Sequence, residues 1–295
     1  PSDDGFDTDC DRTCHDGDVD DDNPGVADAD DLDPNDNYIC GDTDFDTCDD
    51  CTSGYTDILN DGLDDDEDGI CDSGDLCPGG DDYQDSDSDS IPDACDVDIS
   101  LEGTNLISFY ALPDNPSVEN IFAGITGQNP GILGYSTSAI YNAESSGWFG
   151  SLSEIEPTGG YWIIIDDEAD LAVEGIPTDP GTVYDLELHT NLVSYPFAGS
   201  AAIEATIPDG AQVSIDYILG EGTACFNDGD NGWVGSLVYL SGTEGYWFIT
   251  NSEVSFTYNP PVEGATRKAS PIRPVPVPVE YAFRQSMHQA FYFVN

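Results

Sequence analysis

The sequence predicts a mainly β protein in which an N-terminal rod of loops with little apolar core precedes two tandem antiparallel β modules. Three observations predict this fold class. Acidic residues and cysteines are concentrated before residue 100, three motifs recur at a fixed spacing after it, and the apolar runs there are short and bounded by Gly, Pro, Asn or Asp. The predicted segments are 1–98, an Asp- and Cys-rich repeat region; 99–180 and 181–262, two β modules of the sandwich or barrel kind; 263–279, a Pro-rich linker; and 280–295, an extended C-terminal strand.

The two parts differ in charge. The chain has 295 residues, 61 Asp+Glu and 5 Lys+Arg, for a net charge of −56. Residues 1–100 hold 37 acids and one base (net −36), and residues 101–295 hold 24 acids and four bases (net −20). A nucleic-acid binder needs a basic surface and an anionic membrane would repel this chain, so we expect neither partner. No run of 18 apolar residues is present, so we expect no membrane insertion.

The cysteines predict disulfides. Eight of the nine precede residue 100, and an even set in an acidic segment is typical of an oxidising, extracellular or cell-surface compartment. Eight cysteines allow 105 pairings, so the connectivity stays open. The eight are Cys10, Cys14, Cys40, Cys48, Cys51, Cys71, Cys77 and Cys95.

Two cysteine spacings have alternative interpretations. The run from Cys10 to His15 is one residue longer than a c-type haem attachment motif, and Cys48 and Cys51 have the spacing of zinc or thiol-redox sites. We favour structural disulfides at both places because the surroundings are acidic. Cys225 has no counterpart in the first module and is either a buried thiol or one with an unidentified partner.

The segment that starts at Asp64 has the ligand order of an EF-hand-type calcium loop. Over twelve residues, side-chain oxygens fall at positions 1, 3, 5, 9 and 12, glycine at 6 and a carbonyl ligand at 7. Those ligands are Asp64, Asp66, Asp68, Ile70 (by its carbonyl), Asp72 and Asp75. A second copy follows 21 residues later, with Ser90 in place of glycine. Its ligands are Asp85, Asp87, Asp89, Ile91, Asp93 and Asp96.

Looser alternation upstream predicts further calcium ligands. The alternative is a solvated acidic tail, since blocks of like charge are usually disordered. We favour loops because cysteines, glycines and single Ile, Leu or Val residues recur between the acids, and because several divalent ions would neutralise them. The upstream candidates are Asp3, Asp7 and Asp9; Asp16, Asp18, Asp20 and Asp22; Asp28, Asp30 and Asp33; and Asp42, Asp44, Asp46 and Asp49.

The run from 65 to 96 resembles bacterial thrombospondin type 3 repeats. The resemblance is specific over 60–98 and diffuse over 1–59. It implies that the loops wrap calcium ions in a nearly core-free rod and that disulfides staple the turns. The residues that carry it are the DxDxDG loops, Cys77-Pro78-Gly79 and Asp93-Ala94-Cys95; the departures are Ser90 and the Asn23-Pro24 insertion.

The second part is duplicated. Residues 104–109 recur at 190–195 with an offset of 86, and 147–152 and 160–164 recur at 232–237 and 245–249 with an offset of 85. Matches in the same order indicate a tandem duplication. The Trp and Tyr residues of these motifs could stack on surface glycans, but their recurrence at the same step favours a place in the core. We find no nucleophile elbow, His–carboxylate pair with a nucleophile or phosphate loop, and we predict no enzyme.

The C-terminal residues suggest assembly. A Pro-rich spacer is followed at 280–295 by an apolar stretch, which is either a strand given to a neighbouring subunit or the start of a further module. Four basic residues at this end would meet the acidic rod of another copy in head-to-tail stacking, although an ordinary linker is the simpler alternative. The sequence therefore favours a calcium-stabilised extracellular filament or matrix subunit, or else an adhesin or carbohydrate-binding stalk. Because the chain starts at Pro1, we expect a processed or partial product.

Overall fold

The computed structural model describes residues 7–10 and 15–261. Asp3, the predicted linker 263–279 and the predicted strand 280–295 lie outside the described residues. Within them the fold is mainly β, as predicted, with loops first and two sheet-containing modules after them. None of the helices in this part of the chain has the length and apolar character needed to cross a membrane.

From residue 15 to residue 95 the chain is built of turns. Its only regular element is a single 3-10 turn, His15–Gly17. The large apolar side chains face solvent (Phe45 is 78% exposed and Leu59 is 87% exposed), whereas five of the six bonded cysteines are buried. This part therefore gains little from hydrophobic burial, and cross-links form its interior. The disulfides are Cys40–Cys51, Cys48–Cys71 and Cys77–Cys95.

The first module contains nine strands and one short α-helix. Ser117 caps α1 by accepting the Asn120 N–H at 3.3 Å. The strands are β1 (Asp96–Leu101), β2 (Thr104–Ile107), β3 (Ala111–Leu112), β4 (Gly131–Leu133), β5 (Ser138–Asn142), β6 (Gly147–Gly150), β7 (Tyr161–Ile164), β8 (Ala169–Glu174) and β9 (Ile176–Pro177); α1 is Val118–Ile121, and a 3-10 helix spans Ala123–Gln128. The antiparallel sheet has the order β2-β7-β4-β5-β6, and β1-β8 and β3-β9 form two-stranded ladders.

The second module repeats this plan. Its strands are β10 (Tyr184–Leu186), β11 (His189–Val193), β12 (Ser200–Ala202), β13 (Ile215–Gly220), β14 (Thr223–Asn227), β15 (Trp233–Gly235), β16 (Tyr239–Ser241), β17 (Tyr246–Thr250) and β18 (Val254–Phe256); its helices are α2 (Ile203–Thr206) and α3 (Asp209–Gln212). The sheet order is β11-β17-β13-β14-β15, with ladders β10-β18 and β12-β16. Each strand of this sheet stands where its counterpart stands in the first module.

Alternating residues of the duplicated strands build one apolar core in each module. Tyr161 and Tyr246, from the recurring motif, are both buried. Cys225 pairs with Ile218 as Ala139 pairs with Ile132. Cys225 is therefore a core residue that replaces an alanine, and burial raises the pKa of its thiol to about 11.

The two modules contact each other through reciprocal backbone bonds. Ser108 N–H donates to the Thr243 carbonyl, and Ser194 N–H, at the equivalent position, donates to the Thr158 carbonyl, both at 3.1 Å. The hydroxyls follow the same rule: Ser108 Oγ donates to the Gly242 carbonyl at 3.1 Å and Ser194 Oγ to the Pro157 carbonyl at 2.6 Å. Such self-complementary pairing is typical of two-fold dimers, here built within one chain.

Candidate metal centres

Four loops in the acidic region share one hydrogen-bond framework. They begin at Asp20, Asp42, Asp64 and Asp85, which are 22, 22 and 21 residues apart. In each loop the first carboxylate accepts the backbone N–H groups three and five residues later, so one side chain fixes the whole turn. The donors are Asn23 (3.0 Å) and Gly25 (3.2 Å), Phe45 (2.6 Å) and Thr47 (3.1 Å), Glu67 (2.7 Å) and Gly69 (3.0 Å), and Ser88 (2.6 Å) and Ser90 (3.0 Å).

The ninth residue closes each loop. Its carboxylate accepts the N–H of the second residue, and its own N–H donates to the carbonyl just before the loop. These residues are Asp28, Asp50, Asp72 and Asp93, with side-chain bonds of 2.8, 3.2, 2.8 and 2.7 Å and backbone bonds of 2.9, 2.7, 2.8 and 2.6 Å. A closed ring of this kind holds the first, third and fifth residues on the inside of the turn.

Backbone dihedrals repeat as well. The fourth residue has φ between 61 and 68° in all four loops, and the sixth has φ between 78 and 103°. Glycine adopts such values without strain, and Gly25 and Gly69 occupy the sixth position of two loops. Ser90, at the sixth position of the fourth loop, has φ +82°. The departure from glycine therefore keeps the loop shape but stores strain in the backbone.

The third and fourth loops each bring together three of their six predicted ligands. Oxygens of Asp64, Asp66 and Asp68 lie within 4.8 Å of one another, as do those of Asp85, Asp87 and Asp89. Asp72 and Asp93 close their rings, while the N–H groups of Ile70 and Ile91 bond to Asp68 and Asp89, both at 2.8 Å. The pKa of Asp75 is raised mainly by burial and further by the charges of Asp66, Asp82 and Asp68. Burial, then Asp98, Asp89, Asp87 and Glu174, raises the pKa of Asp96 to about 6.

In the second loop the structure groups Asp42 and Asp44 with Asp50 rather than with the predicted ligand Asp49. The Asp49 carboxylate instead accepts N–H groups of Cys40 (2.9 Å) and of residues 41 and 51, beside the Cys40–Cys51 disulfide. The one-residue difference matters because the ninth position of the loop is Asp50.

Asp61 lies beside Asp46 of the second loop, in a group separate from that of Asp42, Asp44 and Asp50, and was missed by the sequence pattern. It is 6% exposed, and its Oδ2 has no hydrogen-bond partner. Burial raises its pKa, followed by the charges of Asp46, Asp44 and Asp50. Asp61 stands 19 residues after the start of the loop rather than 11, so a twelve-residue template cannot find it. The Cys48–Cys71 disulfide lies next to Asp46 and Asp61.

The first loop surrounds another buried carboxylate, that of Asp22. It is 7% exposed, and neither oxygen has a hydrogen-bond partner. Burial, then the charges of Asp31 and Asp20, raises its pKa to about 6. The fifth position is Pro24, whose carbonyl accepts the Thr56 N–H at 2.8 Å. Asp31 is the twelfth residue of this loop, and its charge acts on Asp22, so it stands where the twelfth ligand is expected. The sequence pattern missed Asp31.

The remaining upstream candidates are arranged differently from the prediction. Asp16 lies in the 3-10 turn, and the Asp18 carboxylate accepts N–H groups of Val19 and Asp20 ahead of the first loop, at 2.8 and 3.4 Å. Asp30 and Asp33 make turn contacts through their backbone groups. A further loop that started at Asp7 would have Asp9 as its third residue and Cys10, with φ +67°, as its fourth. That loop would continue through residues 11–14, which the structure does not describe.

The donor chemistry favours a hard cation. Two of the acidic groups include cysteines (Cys40 with Cys51, and Cys48 with Cys71), but these sulfurs are consumed in disulfides and offer no thiolate. Cys48 and Cys51 belong to different disulfides, so the spacing that suggested zinc or redox chemistry has no such role here. Carboxylate oxygens remain, and these suit calcium, magnesium or manganese.

No family model, curated protein or solved structure matches this chain. The resemblance to thrombospondin type 3 repeats therefore stays a prediction. Three disulfides are consistent with an extracellular or secreted protein.

Proposed function

We propose that this protein binds several calcium ions in its N-terminal loops. The observation that carries the proposal is the pair of buried carboxylates, Asp22 and Asp61. Both oxygens of Asp22 and Oδ2 of Asp61 lack hydrogen-bond partners, and the charges of further carboxylates act on both side chains. Burying an unpaired charge is costly unless a counterion compensates it. The described residues contain no Lys or Arg, so a bound cation is the available compensation.

Calcium suits these loops better than magnesium does. Calcium accepts six to eight oxygens in flexible geometry, whereas magnesium demands a near-ideal octahedron and keeps several waters. The four loops vary at the fifth, sixth and twelfth positions, as Pro24, Thr47 and Ser53 illustrate. Tolerance of such variation favours the larger ion, and bidentate carboxylates can complete its coordination.

The function that best fits this architecture is structural. The protein would be an extracellular subunit of a filament or matrix, stiffened by calcium and disulfides and joined head to tail through the segment 280–295. The acidic region would be a rod of turns cross-linked by three disulfides, with few side chains available for other chemistry. This structural role corresponds to the thrombospondin type 3-like repeats predicted from the sequence.

Two other functions have less support. The recurring Trp and Tyr residues, which could stack on glycans, are buried or half-buried, which argues against an adhesin that uses them. The cleft between the modules, of about 730 Å³, has acidic and hydroxyl side chains, and none of its lining residues is His, Cys, Lys or Arg. We therefore do not propose an enzyme.

Negative-stain microscopy of the full chain, with calcium and with excess EGTA, tests the structural role. Regular fibres that shorten or fray in EGTA are expected. Monodisperse rods in calcium that collapse in EGTA would keep the calcium sites and overturn the filament. Particles that are the same in both solutions would overturn the calcium proposal as well.

A further inference from the structure

The outward face of the first five-stranded sheet exposes a row of apolar side chains. Ile164, Gly131, Ile140 and Phe149 are successive cross-strand partners on β7, β4, β5 and β6. Ile164 is 45% exposed, Ile140 59% and Phe149 55%. Leu133, two residues beyond Gly131 on the same face of β4, is 44% exposed. This face is therefore apolar and open to solvent.

Gly131 leaves a pit in this row. Its neighbours in the ladder are Ile164 on one side and Ile140 on the other. Strands lie about 4.8 Å apart, so these two isoleucines stand roughly 10 Å apart across the glycine. A Cβ placed on Gly131 would meet no atom within 4 Å. The pit is wide enough to admit a flat ring between two aliphatic walls.

The second module fills the same position with its own ring. Tyr217 pairs with Ile249 and Phe226 on β17 and β14, as Gly131 pairs with its two isoleucines. The Tyr217 ring lies 6.4 Å from the Phe226 ring. The duplicated fold therefore accommodates an aromatic side chain at this strand position, and the first module has glycine there instead.

We propose that the pit at Gly131 receives an aromatic side chain from residues 281–295 of a second copy of this chain. The proposal rests on the head-to-tail association proposed above and assigns its acceptor surface. Exposed acids border the face at strand ends (Glu102, Glu144 and Asp166), so a complementary segment would combine aromatic and basic residues. The C-terminal segment does so, with Tyr281, Phe283, Arg284, Phe291, Tyr292 and Phe293.

Charge favours the C-terminal segment as the occupant, and reach allows a second copy to donate it. Four of the five Lys and Arg residues lie at 267–284, and the described residues have none. Arg284 lies within the C-terminal segment and the other three lie in the interval just before it, so this end of the chain is the complementary partner for an acidic surface. The Pro-rich interval 263–279, at roughly 3 Å per residue, spans about 50 Å if extended. An interval of that reach allows the segment to meet a neighbouring copy, and the mixture described below distinguishes this from return to its own first module.

Sedimentation velocity of the full chain in calcium tests the acceptor. Gly131→Tyr fills the pit as Tyr217 fills its equivalent, and its backbone φ lies outside the strained positive region, so the module is expected to fold. We expect this variant to lose the wild-type association by at least tenfold in dissociation constant. Gly131→Ala, the matched control, leaves the pit open and is expected to associate as the wild type does.

A complementation mixture shows whether the contact is between copies. The Gly131→Tyr chain keeps its C-terminal segment and lacks the pit, whereas a chain without 281–295 keeps the pit and lacks the segment. We expect each alone to be monomeric and the mixture to form a one-to-one heterodimer. Two monomers that stay separate in the mixture would overturn the proposal.

The outcomes separate this proposal from the proposed function. A wild-type chain that associates, together with a Gly131→Tyr chain that associates equally well, would leave the filament standing and overturn the pit as acceptor. A wild-type chain that stays monomeric in calcium would overturn both. Calcium binding, measured separately by calorimetry, is expected to be unchanged in Gly131→Tyr because the pit lies outside the loops.

Discussion

Asp61 shows how the fold can bring a carboxylate from farther along the chain beside the acidic residues of a loop. Its side chain lies beside Asp46, the charges of Asp44 and Asp50 also act on it, and the Thr52 hydroxyl donates to its carbonyl, which ties the segment to the second loop. An uncompensated carboxylate at this depth would be costly, and a bound cation would offset that cost.

Asp61→Asn is expected to reduce the calcium stoichiometry by one ion, or to weaken one site at least tenfold. The amide keeps the shape of the side chain but removes one negative charge from the group that contains Asp46. Isothermal titration calorimetry of the full chain measures both quantities. Asp114→Asn, an exposed position in the first module, is the charge-matched control and is expected to change neither. Equal titrations for both variants would remove Asp61 from the ligand set.

The sixth loop position permits a test in both directions. Ser90 holds φ +82° and Gly69 φ +90°, a conformation that costs a non-glycine residue about 1 kcal/mol. Ser90→Gly is therefore expected to strengthen the fourth site by up to about fivefold, since part of the relief is lost to the greater freedom of glycine when unfolded. Gly69→Ser is expected to weaken the third site. Calcium titrations that move in the same direction for both variants would contradict this account.

At the scale of elements, the sequence predicts regular repeats well and irregular ones poorly. The duplicated β motifs and the two downstream loops follow fixed offsets, and the structure has the predicted mainly β class. The upstream loops are harder because their ligands do not keep one spacing. The hydrogen bonds that close the second loop place Asp50, rather than Asp49, at its ninth position. Asp61 stands 19 residues after the start of that loop, beyond the length of the template. Intermodule contacts such as Ser108 with Thr243 and Ser194 with Thr158 join residues far apart in the sequence and leave no local pattern.

The cores of the two modules differ in a way that affects their stability in base. Tyr184, Tyr195 and Tyr258 stand in the second module where the first has Ile99, Phe109 and Val173. Burial raises the pKa of all three phenols, and that of Tyr258 most strongly. Because the folded state keeps these groups neutral, their contribution is complete below the unfolded pKa of about 10 and is lost as the pH rises through the folded values.

Tyr258→Phe is therefore expected to raise the pH at which base unfolds the second module. A buried tyrosine favours unfolding in base because the unfolded state lets it ionise, and this contribution grows by about 1.4 kcal/mol per pH unit above 10. Replacing the tyrosine with phenylalanine removes that contribution. At neutral pH the same change is expected to cost about 1 kcal/mol, because the hydroxyl donates to the Ser194 carbonyl at 3.3 Å. Circular dichroism during a base titration gives the midpoint, and Tyr239→Phe, at an exposed position, is the control. A midpoint that does not rise would mean that these phenols do not limit stability.

The whole molecule joins two parts stabilised by different physics. The modules bury apolar cores, whereas the acidic region exposes its large apolar residues and carries most of the negative charge. Repulsion among like charges opposes a compact state and is relieved when divalent ions bind. Removal of calcium should therefore unfold one part and spare the other.

Limited proteolysis of the full chain with chymotrypsin tests this difference. The loops expose Tyr38, Phe45, Tyr55, Leu59 and Tyr83, so we expect EGTA to accelerate cleavage there by at least tenfold. A fragment that starts near β1 is expected to resist in both solutions because most of its cleavable residues are buried and exposed ones such as Phe149 and Tyr217 lie in paired strands. Fragments are separated after reduction, since Cys48–Cys71 and Cys77–Cys95 would otherwise hold cut loops together. Magnesium at the same concentration is the matched control and is expected to protect less. Equal cleavage of the loops with calcium and with EGTA would mean that the disulfides alone keep the loops folded. Loss of the resistant fragment in EGTA would mean that the modules depend on the ions too.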